Sequence, residues 1–225
     1  MSMFWVVTPW SPHWDNWKPF WSGYEFRNAA EMLPLLPAPG EFSGAALPIA
    51  RLEFTREDFD DDCFRLGKFM FVSEKMRRAM ALSSSAIQYF EVDSSGSAPL
   101  PWSKRYQLMH VPIAEDVTDP ERSDYTFRHR PEGVELWGAP KAVAFRPDAE
   151  PGHEIFYDRF FKIALCTDEF ALRVLRAGCT GMRFLDPARL NLVGACHRTL
   201  RGVEKTDEWD PVQKISYVKL IREIS

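Results

Sequence analysis

The sequence predicts an α+β fold: a single domain over residues 1–225, with a mixed or antiparallel sheet and a few short helices. Short segments of alternating apolar residues recur along the chain, as expected for strands. Only a few stretches have the apolar spacing of a helix. Prolines and glycines divide the remainder into turns and loops. An apolar content of 45% is sufficient for a sizeable core.

The N-terminal segment, residues 1–24, combines a strand signal with a high density of tryptophan. Residues 4–7 predict a first strand. Five of the eight tryptophans lie between Trp5 and Trp21, among prolines that prevent a long helix. One interpretation is an arm that fills gaps at the edge of the core. The other is an aromatic binding surface that includes Trp10, Trp14 and Trp17, because tryptophan is enriched at binding hot spots.

An acidic run follows the arm. Residues 25–36 predict a short helix, and a strand follows around residues 52–54. Residues 53–62 contain six acids and one arginine. Clustered carboxylates can bind hard cations, but the spacing here lacks the pattern of a calcium loop. The main alternatives are a solvated turn and a patch for a basic protein partner. The second assigns partner contacts to the acids Glu57, Asp58, Asp60, Asp61 and Asp62.

Residues 166–187 predict a complete helix-to-strand unit, around which the rest of the chain is organised. Thr167 is the predicted N-cap, and two acids follow in the first turn, where the helix dipole favours them. An apolar stripe of helical period begins at Phe170. Gly178 is predicted to end the helix in the left-handed conformation. Gly181 then turns the chain into a strand.

A similar order of residues occurs 94 positions earlier, over residues 73–90. Ser73 takes the place of Thr167 as a cap, and Phe90 falls opposite Phe184. An aromatic-rich segment precedes each copy. The alternatives are a real internal duplication and a chance recurrence, because strand–cap–helix–turn–strand is a common order of elements.

The segments outside these two units are less regular. Residues 115–124 are polar and predicted to be exposed. After the second unit, residues 188–193 predict a short helix, and residues 215–224 fit either a strand or a helix. Further strands are predicted over residues 106–111, 125–128, 134–137 and 143–145.

The sequence contains no motif that specifies a reaction. None of the five histidines has the spacing of a helical zinc site, and no phosphate-binding glycine loop or serine elbow is present. We therefore predict no catalytic residue, no metal and no cofactor. The four scattered cysteines are interpreted as reduced and mostly buried.

The charge and the apolar pattern bear on partners and location. The net charge of −4 gives no electrostatic reason to expect nucleic acid or an anionic membrane as a partner. No apolar run is long enough to cross a bilayer. The first residues lack the features of a signal peptide. A cytoplasmic location is therefore expected.

Three segments together resemble a known family. Residues 71–76 (Phe-Val-Ser-Glu-Lys-Met), residues 160–162 (Phe-Phe-Lys) and residues 167–187, with Gly-Cys-Thr-Gly-Met-Arg-Phe, resemble immunity family eleven, bacterial proteins encoded beside polymorphic toxins. The resemblance covers roughly residues 60–187. It implies a non-catalytic cytoplasmic protein that binds and neutralises a cognate toxin in interbacterial competition. It supplies no binding residues.

Two other functions stay open at this stage. One is a hydrolase that uses scattered carboxylates and histidines. The other is a carbohydrate- or peptide-binding module that uses the N-terminal tryptophans. For the immunity function, we predict recognition that is electrostatic at its edge, through the acidic run, and aromatic at its centre, through the tryptophans.

Overall fold

The computed structural model describes residues 4–9, 24–38, 40–43, 47–54, 61–66, 68–81, 86–95, 105–130, 133–136, 140–185 and 187. Strands and short helices alternate along these residues, and the predicted α+β class is confirmed. The helices are α1 (Ala29–Met32), α2 (Glu74–Met80) and α3 (Asp168–Arg176). The strands are β1 (Phe4–Pro9), β2 (Tyr24–Phe26), β3 (Ala50–Phe54), β4 (Cys63–Leu66), β5 (Phe69–Ser73), β6 (Gln88–Phe90), β7 (Val92–Asp93), β8 (Tyr106–His110), β9 (Ala114–Glu115), β10 (Thr118–Asp124), β11 (Phe127–Arg130), β12 (Gly133–Leu136), β13 (Ala142–Phe145), β14 (Ile155–Asp158), β15 (Ala164–Thr167) and β16 (Met182–Leu185).

Two sheets form the centre of the fold. Sheet I has four strands in the order β4-β5-β8-β6, and sheet II has five in the order β16-β1-β15-β14-β9. Neighbouring strands are antiparallel throughout sheet I. In sheet II only the β14–β9 pair is parallel. The remaining strands form smaller sheets, β2-β3-β7, β10-β13 and β11-β12.

The alternation of side chains along β1 shows how the core is layered. Trp5 and Val7 belong to a central apolar cluster, whereas Phe4 and Val6 belong to an outer one. Successive residues of a strand point to opposite faces, so β1 is buried on both sides. The central cluster joins one face of each main sheet with the apolar sides of α2 and α3.

Each main sheet also packs against an outer layer. Behind sheet I, aromatic residues of β4 and β5 pack with α1 and the β2–β3 strand pair; the ring centroids of Phe26 and Phe71, for example, lie 5.4 Å apart. Behind sheet II, Phe156 of β14 packs with Val143 of β13. This double burial explains why the inner strands are almost continuously apolar.

The two predicted helix-to-strand units occupy equivalent positions in the two sheets. In each sheet, a hairpin (β4–β5 or β14–β15) is followed by a helix (α2 or α3) and then by a third strand (β6 or β16). The third strand lies parallel to the second strand of the hairpin, and one antiparallel strand lies between the two. That intervening strand is β8 in sheet I and β1 in sheet II. The two segments therefore share one topology, although the intervening strand comes from a different place in the chain. A common origin by duplication stays a prediction.

The two units are joined through the C-terminal ends of their helices. The Lys75 ammonium, on α2, donates to the Gly178 carbonyl just beyond α3 at 2.6 Å. Arg173, on α3, donates to the carbonyl of Met80, the last residue of α2, at 3.0 Å. Each helix thus supplies a cation to the end of the other, where carbonyls lack helical partners.

Two local predictions were wrong. The helix predicted over residues 25–36 is reduced to α1, because Tyr24–Phe26 pairs with β3 instead. The polar stretch 115–124, predicted to be exposed, is exposed only in part: Val117 and Thr118 are buried, because the stretch contains all of β10, which pairs with β13. The segments 188–193 and 215–224, and most of the tryptophan-rich arm, lie outside the described residues.

The helix and strand signals of the second unit are confirmed. The Thr167 side chain accepts a hydrogen bond from the Phe170 N–H. Gly178 has a φ of 62° and Gly181 a φ of 81°, and β16 follows. Cys63 and Cys166 are free and buried, and Cys179 is partly buried.

Candidate functional site

The predicted partner-binding residues fall into two groups. Asp61 and Asp62 are described, and both are buried, with 7% and 1% of their surface exposed. Their carboxylates therefore offer a partner little surface. The other six lie outside the described residues: Trp10, Trp14, Trp17, Glu57, Asp58 and Asp60.

Asp62 is the centre of a polar network that joins the two halves of the fold. Its carboxylate accepts hydrogen bonds from the Ser73 hydroxyl at 2.8 Å and from the Thr180 N–H at 3.0 Å. The Lys75 ammonium lies 3.3 Å from the same carboxylate. A buried carboxylate is stable only when such donors surround it. Asp62 thus holds the start of α2 against the turn before β16.

Sequence reasoning missed this network because its members are far apart in the chain. Thr180 is 118 residues from Asp62. Asp61 is also fixed at this point, since its carbonyl accepts a hydrogen bond from the Tyr106 hydroxyl at 2.7 Å. The acidic run therefore ends at a rigid anchor at the start of β4.

A cavity of about 180 Å³ lies where the loop after α1 meets both main sheets. Its floor is apolar, with Met70 and Met109 from sheet I. Arg65 and Lys68, near the β4–β5 turn, are exposed, and none of the described carboxylates contributes to the lining. This composition suits a group that carries negative charge on an apolar stem. The lining residues are Leu36, Pro37, Ala38, Arg65, Lys68, Met70, Met109, His110, Val111 and Tyr157.

Two titratable groups in this cavity are held neutral by burial. Burial lowers the pKa of His110, whose Nε2 donates to the Glu41 carbonyl at 2.7 Å. Burial also raises the pKa of the Tyr157 hydroxyl. Both side chains therefore act as hydrogen-bonding groups rather than charges near neutral pH.

An open groove of about 620 Å³ lies near the other end of β8, beside α2 and β7. Its acids are Glu74, Glu91 and Asp93. The Oε1 atom of Gln107, which also lines the groove, is buried and accepts no hydrogen bond from any described residue. A buried acceptor without a donor is costly, so this position favours a ligand that donates. The groove is lined by Ile49, Glu74, Arg78, Glu91, Val92, Asp93, Arg105, Tyr106 and Gln107.

The other polar clusters have structural roles. His153 lies 2.7 Å from Glu115, and the second carboxylate oxygen of Glu115 accepts the Gly152 N–H at 3.0 Å, which fixes this loop to β9. Burial raises the pKa of the Cys63 and Cys166 thiols, so neither is a reactive thiolate. Within the described residues, no three His, Cys, Asp or Glu side chains lie close enough to hold a metal ion.

The family comparison bears directly on the candidate functions. Residues 42–189 match the immunity protein family Imm11. The chain belongs to this family. The match includes all the segments on which the resemblance was recognised, and it begins at residue 42 rather than near residue 60. No curated protein matches the chain.

The range of the Imm11 match can be placed on the fold. It contains sheet I and the two helix-to-strand units, together with all the residues that line the groove and most of those that line the cavity. It leaves out β1, although β1 lies between β15 and β16 in sheet II. Among the described helices of this Imm11 member, none is long and apolar enough to span a membrane.

Proposed function

We propose that the protein binds a cognate bacterial toxin and neutralises it in the cytoplasm of the producing cell. The observation that carries this proposal is membership of the Imm11 immunity protein family over residues 42–189. An immunity protein implies a protein partner, and a toxin of a polymorphic toxin system is the partner that fits.

Neutralisation acts by direct binding, without chemistry on the toxin. The polar clusters of the described residues support this mode. Asp62, Glu115 and Asp158 each accept hydrogen bonds from neighbouring groups of the fold. The buried cysteines have raised thiol pKa values. These groups serve the fold, and a binding mechanism requires nothing else of them.

Recognition combines charge at the edge with aromatic contact. Glu57, Asp58 and Asp60 supply negative charge that suits a toxin with a basic active-site face, as a toxin that acts on nucleic acid would have. Trp10, Trp14 and Trp17 supply aromatic contacts. Charge of this kind mainly raises the association rate and weakens with salt. Asp61 and Asp62 anchor the run from the protein interior.

The test is a titration of toxin activity. The protein is mixed in increasing amounts with the purified toxin domain encoded in the adjacent reading frame, and residual toxin activity is measured. Binding predicts a linear loss of activity that ends at a fixed stoichiometric ratio. An enzyme would inactivate the toxin at ratios far below one to one, and that result would replace binding with catalysis.

A matched pair of variants tests the acidic run. The triple substitution Glu57→Gln, Asp58→Asn, Asp60→Asn should lower the association rate at low salt, with a smaller effect at high salt. Asp116→Asn, Glu121→Gln, Asp124→Asn, which neutralises three exposed acids within residues 116–124, is the control. Equal association rates for the two variants would remove the acidic run from the binding face.

A further inference from the structure

Large apolar side chains are exposed at four positions between residues 33 and 49. The exposed fractions are 46% for Leu33, 49% for Leu35, 56% for Phe42 and 51% for Ile49. Only one other large apolar side chain among the described residues is exposed, Phe160 at 37%. Exposed apolar groups concentrated in one place mark interaction sites, whereas scattered ones do not. We refer to these four residues as the apolar surface.

Hydrogen bonds hold two of these residues along one edge of sheet I. The N–H after Phe42 donates to the Gln88 side chain at 2.8 Å. The N–H after Ile49 donates to the Glu91 carbonyl at 3.2 Å. Gln88 and Glu91 belong to one extended segment, and three residues of strand span about 10 Å. Phe42 and Ile49 are therefore both held close to the edge formed by residues 88–91.

The other two residues are tied to the same place through α1. Asn28, at the start of α1, donates to the Ile49 carbonyl at 3.0 Å and accepts from the Arg51 N–H at 2.8 Å. Leu33 and Leu35 follow directly after the helix, and their N–H groups bond back into it. A helix of four residues is short, so both leucines stay close to Ile49.

Acidic groups outnumber arginines by three to two in the groove that borders the apolar surface, and the exposed Arg27 and Arg51 lie nearby. The groove beside Ile49 carries Glu74, Glu91 and Asp93 against two arginines, and Arg78 is already paired with Glu74 at 2.9 Å. The buried Oε1 of Gln107 in this groove also lacks a donor among the described residues. Negative charge and an unsatisfied acceptor both favour a partner that presents cationic donors. The exposed acids of this region are Glu31, Glu41, Glu91 and Asp93.

We propose that the apolar surface is the docking site for the cognate toxin, and that the toxin meets it with an apolar patch bordered by lysine or arginine. This inference rests on the proposed function and adds the face of the protein that binds the toxin. The aliphatic stem of a lysine or arginine packs on Ile49 and Val92 in the groove, and its charged end reaches Glu91 or Asp93. In sequence, the acidic run follows β3, the strand that begins directly after Ile49.

The test compares substitutions at exposed apolar residues inside and outside the apolar surface. Phe42→Ser with Ile49→Ser alters the apolar surface, and Phe160→Ser alters the exposed side chain outside it. Affinity for the toxin domain of the adjacent reading frame is measured by calorimetry, with thermal unfolding as a check on folding. We expect the double variant to raise Kd about tenfold or more, because exposed aromatic and aliphatic anchors dominate interfaces. Phe160→Ser should leave Kd within about twofold.

A charge variant provides a second, independent measurement. Glu91→Lys with Asp93→Lys should slow association at low ionic strength, and the difference should shrink at high salt. This variant keeps all four apolar residues, so it tests the site even if the double serine variant folds poorly.

The possible outcomes distinguish a failure of the docking site from a failure of the proposed function. If the wild-type protein neither binds the toxin domain nor protects against it, the proposed function is lost. If the wild-type protein binds and all of these variants bind equally well, only the docking site is overturned. If sedimentation shows a homodimer that the double serine variant dissociates, a second copy of the chain covers the apolar surface and the toxin does not.

Discussion

At the scale of single residues, the fold depends on a few positions where the chain is too crowded or too polar to vary. Gly181 is the most crowded of these. Its φ is 81°, and a Cβ atom there would lie 1.9 Å from the Cys63 carbonyl oxygen. Gly178 also has a positive φ, but a Cβ atom there meets open space. A comparison of the two glycines therefore separates the effect of a positive φ from the effect of a steric clash.

This difference gives a prediction for two alanine variants. Gly178→Ala should cost about 1–2 kcal/mol, the usual penalty of the left-handed conformation for a residue with a Cβ atom. Gly181→Ala adds a clash with backbone atoms, so its cost should be larger, about 3 kcal/mol or more. Urea denaturation measures both. Equal losses in the two variants would show that β4 can move away from the turn.

Glu74 gives a prediction about acid stability. Hydrogen bonds from Arg77, followed by those from Arg78, lower the pKa of the Glu74 carboxyl from 4.5 to about 2. The unfolded chain therefore takes up this proton first as the pH falls. Glu74 stabilises the fold fully above pH 4.5, and this contribution is lost as the pH falls towards 2.

Glu74→Gln removes this dependence. The variant should be less stable than the wild type near neutral pH, and the difference should shrink between about pH 4.5 and 2. Arg77→Gln, which removes the main donor, should show the same trend. Unfolding curves measured across this window provide the test. A difference from the wild type that stays constant over the window would contradict the assignment.

At the scale of elements, the two helix-to-strand units use the same cap in different surroundings. Both caps accept a hydrogen bond from the N–H three residues later. The Ser73 hydroxyl is fully buried and also donates to Asp62 at 2.8 Å. Thr167 is partly exposed. The local sequence specifies the cap in both units, but only tertiary contacts give Ser73 its second role.

Alanine substitution should separate the two caps. Thr167→Ala should cost about 1 kcal/mol, the usual value of a helix N-cap. Ser73→Ala also leaves one Asp62 oxygen without a donor in the interior, so its cost should approach about 3 kcal/mol. The measurement is the free energy of unfolding in urea. If Ser73→Ala costs no more than Thr167→Ala, the bond to Asp62 contributes nothing.

At the scale of the whole molecule, the chain closes on itself through β1. This strand lies between β15 and β16 and pairs antiparallel with both. β15 and β16 are the last two strands of the described chain. Trp5 is 1% exposed, and its indole N–H donates to Asp168 at the start of α3 at 2.5 Å. Sheet II and α3 therefore depend on the N-terminal strand.

Removal of residues 1–9 should abolish the cooperative unfolding transition, because β15 and β16 would lose their shared partner and Trp5 its place in the core. Trp5→Phe is the control. It keeps an aromatic ring but loses the bond to Asp168, so it should unfold cooperatively at a lower midpoint. Circular dichroism during heating distinguishes the two. A truncated protein that unfolds like the wild type would show that β1 is dispensable.

The sequence by itself determined the parts of this protein that depend on neighbours in the chain. The α+β class, the caps Ser73 and Thr167, the turn at Gly181 and the family resemblance all follow from residues within a few positions of one another. Local backbone preferences and short hydrogen bonds produce such features without the rest of the fold. The same local reasoning failed for residues 25–36, where pairing with β3 outweighs helix propensity.

Only the tertiary structure decided which polar and apolar groups are available to a partner. The sequence presents Asp62 as one acid in an exposed run, yet Thr180, from 118 residues away, closes over it. Phe42 and Ile49 resemble ordinary core residues in sequence, yet both are about half exposed. Burial is a property of contacts between distant segments, and a linear pattern records hydrophobicity but not which segment covers it.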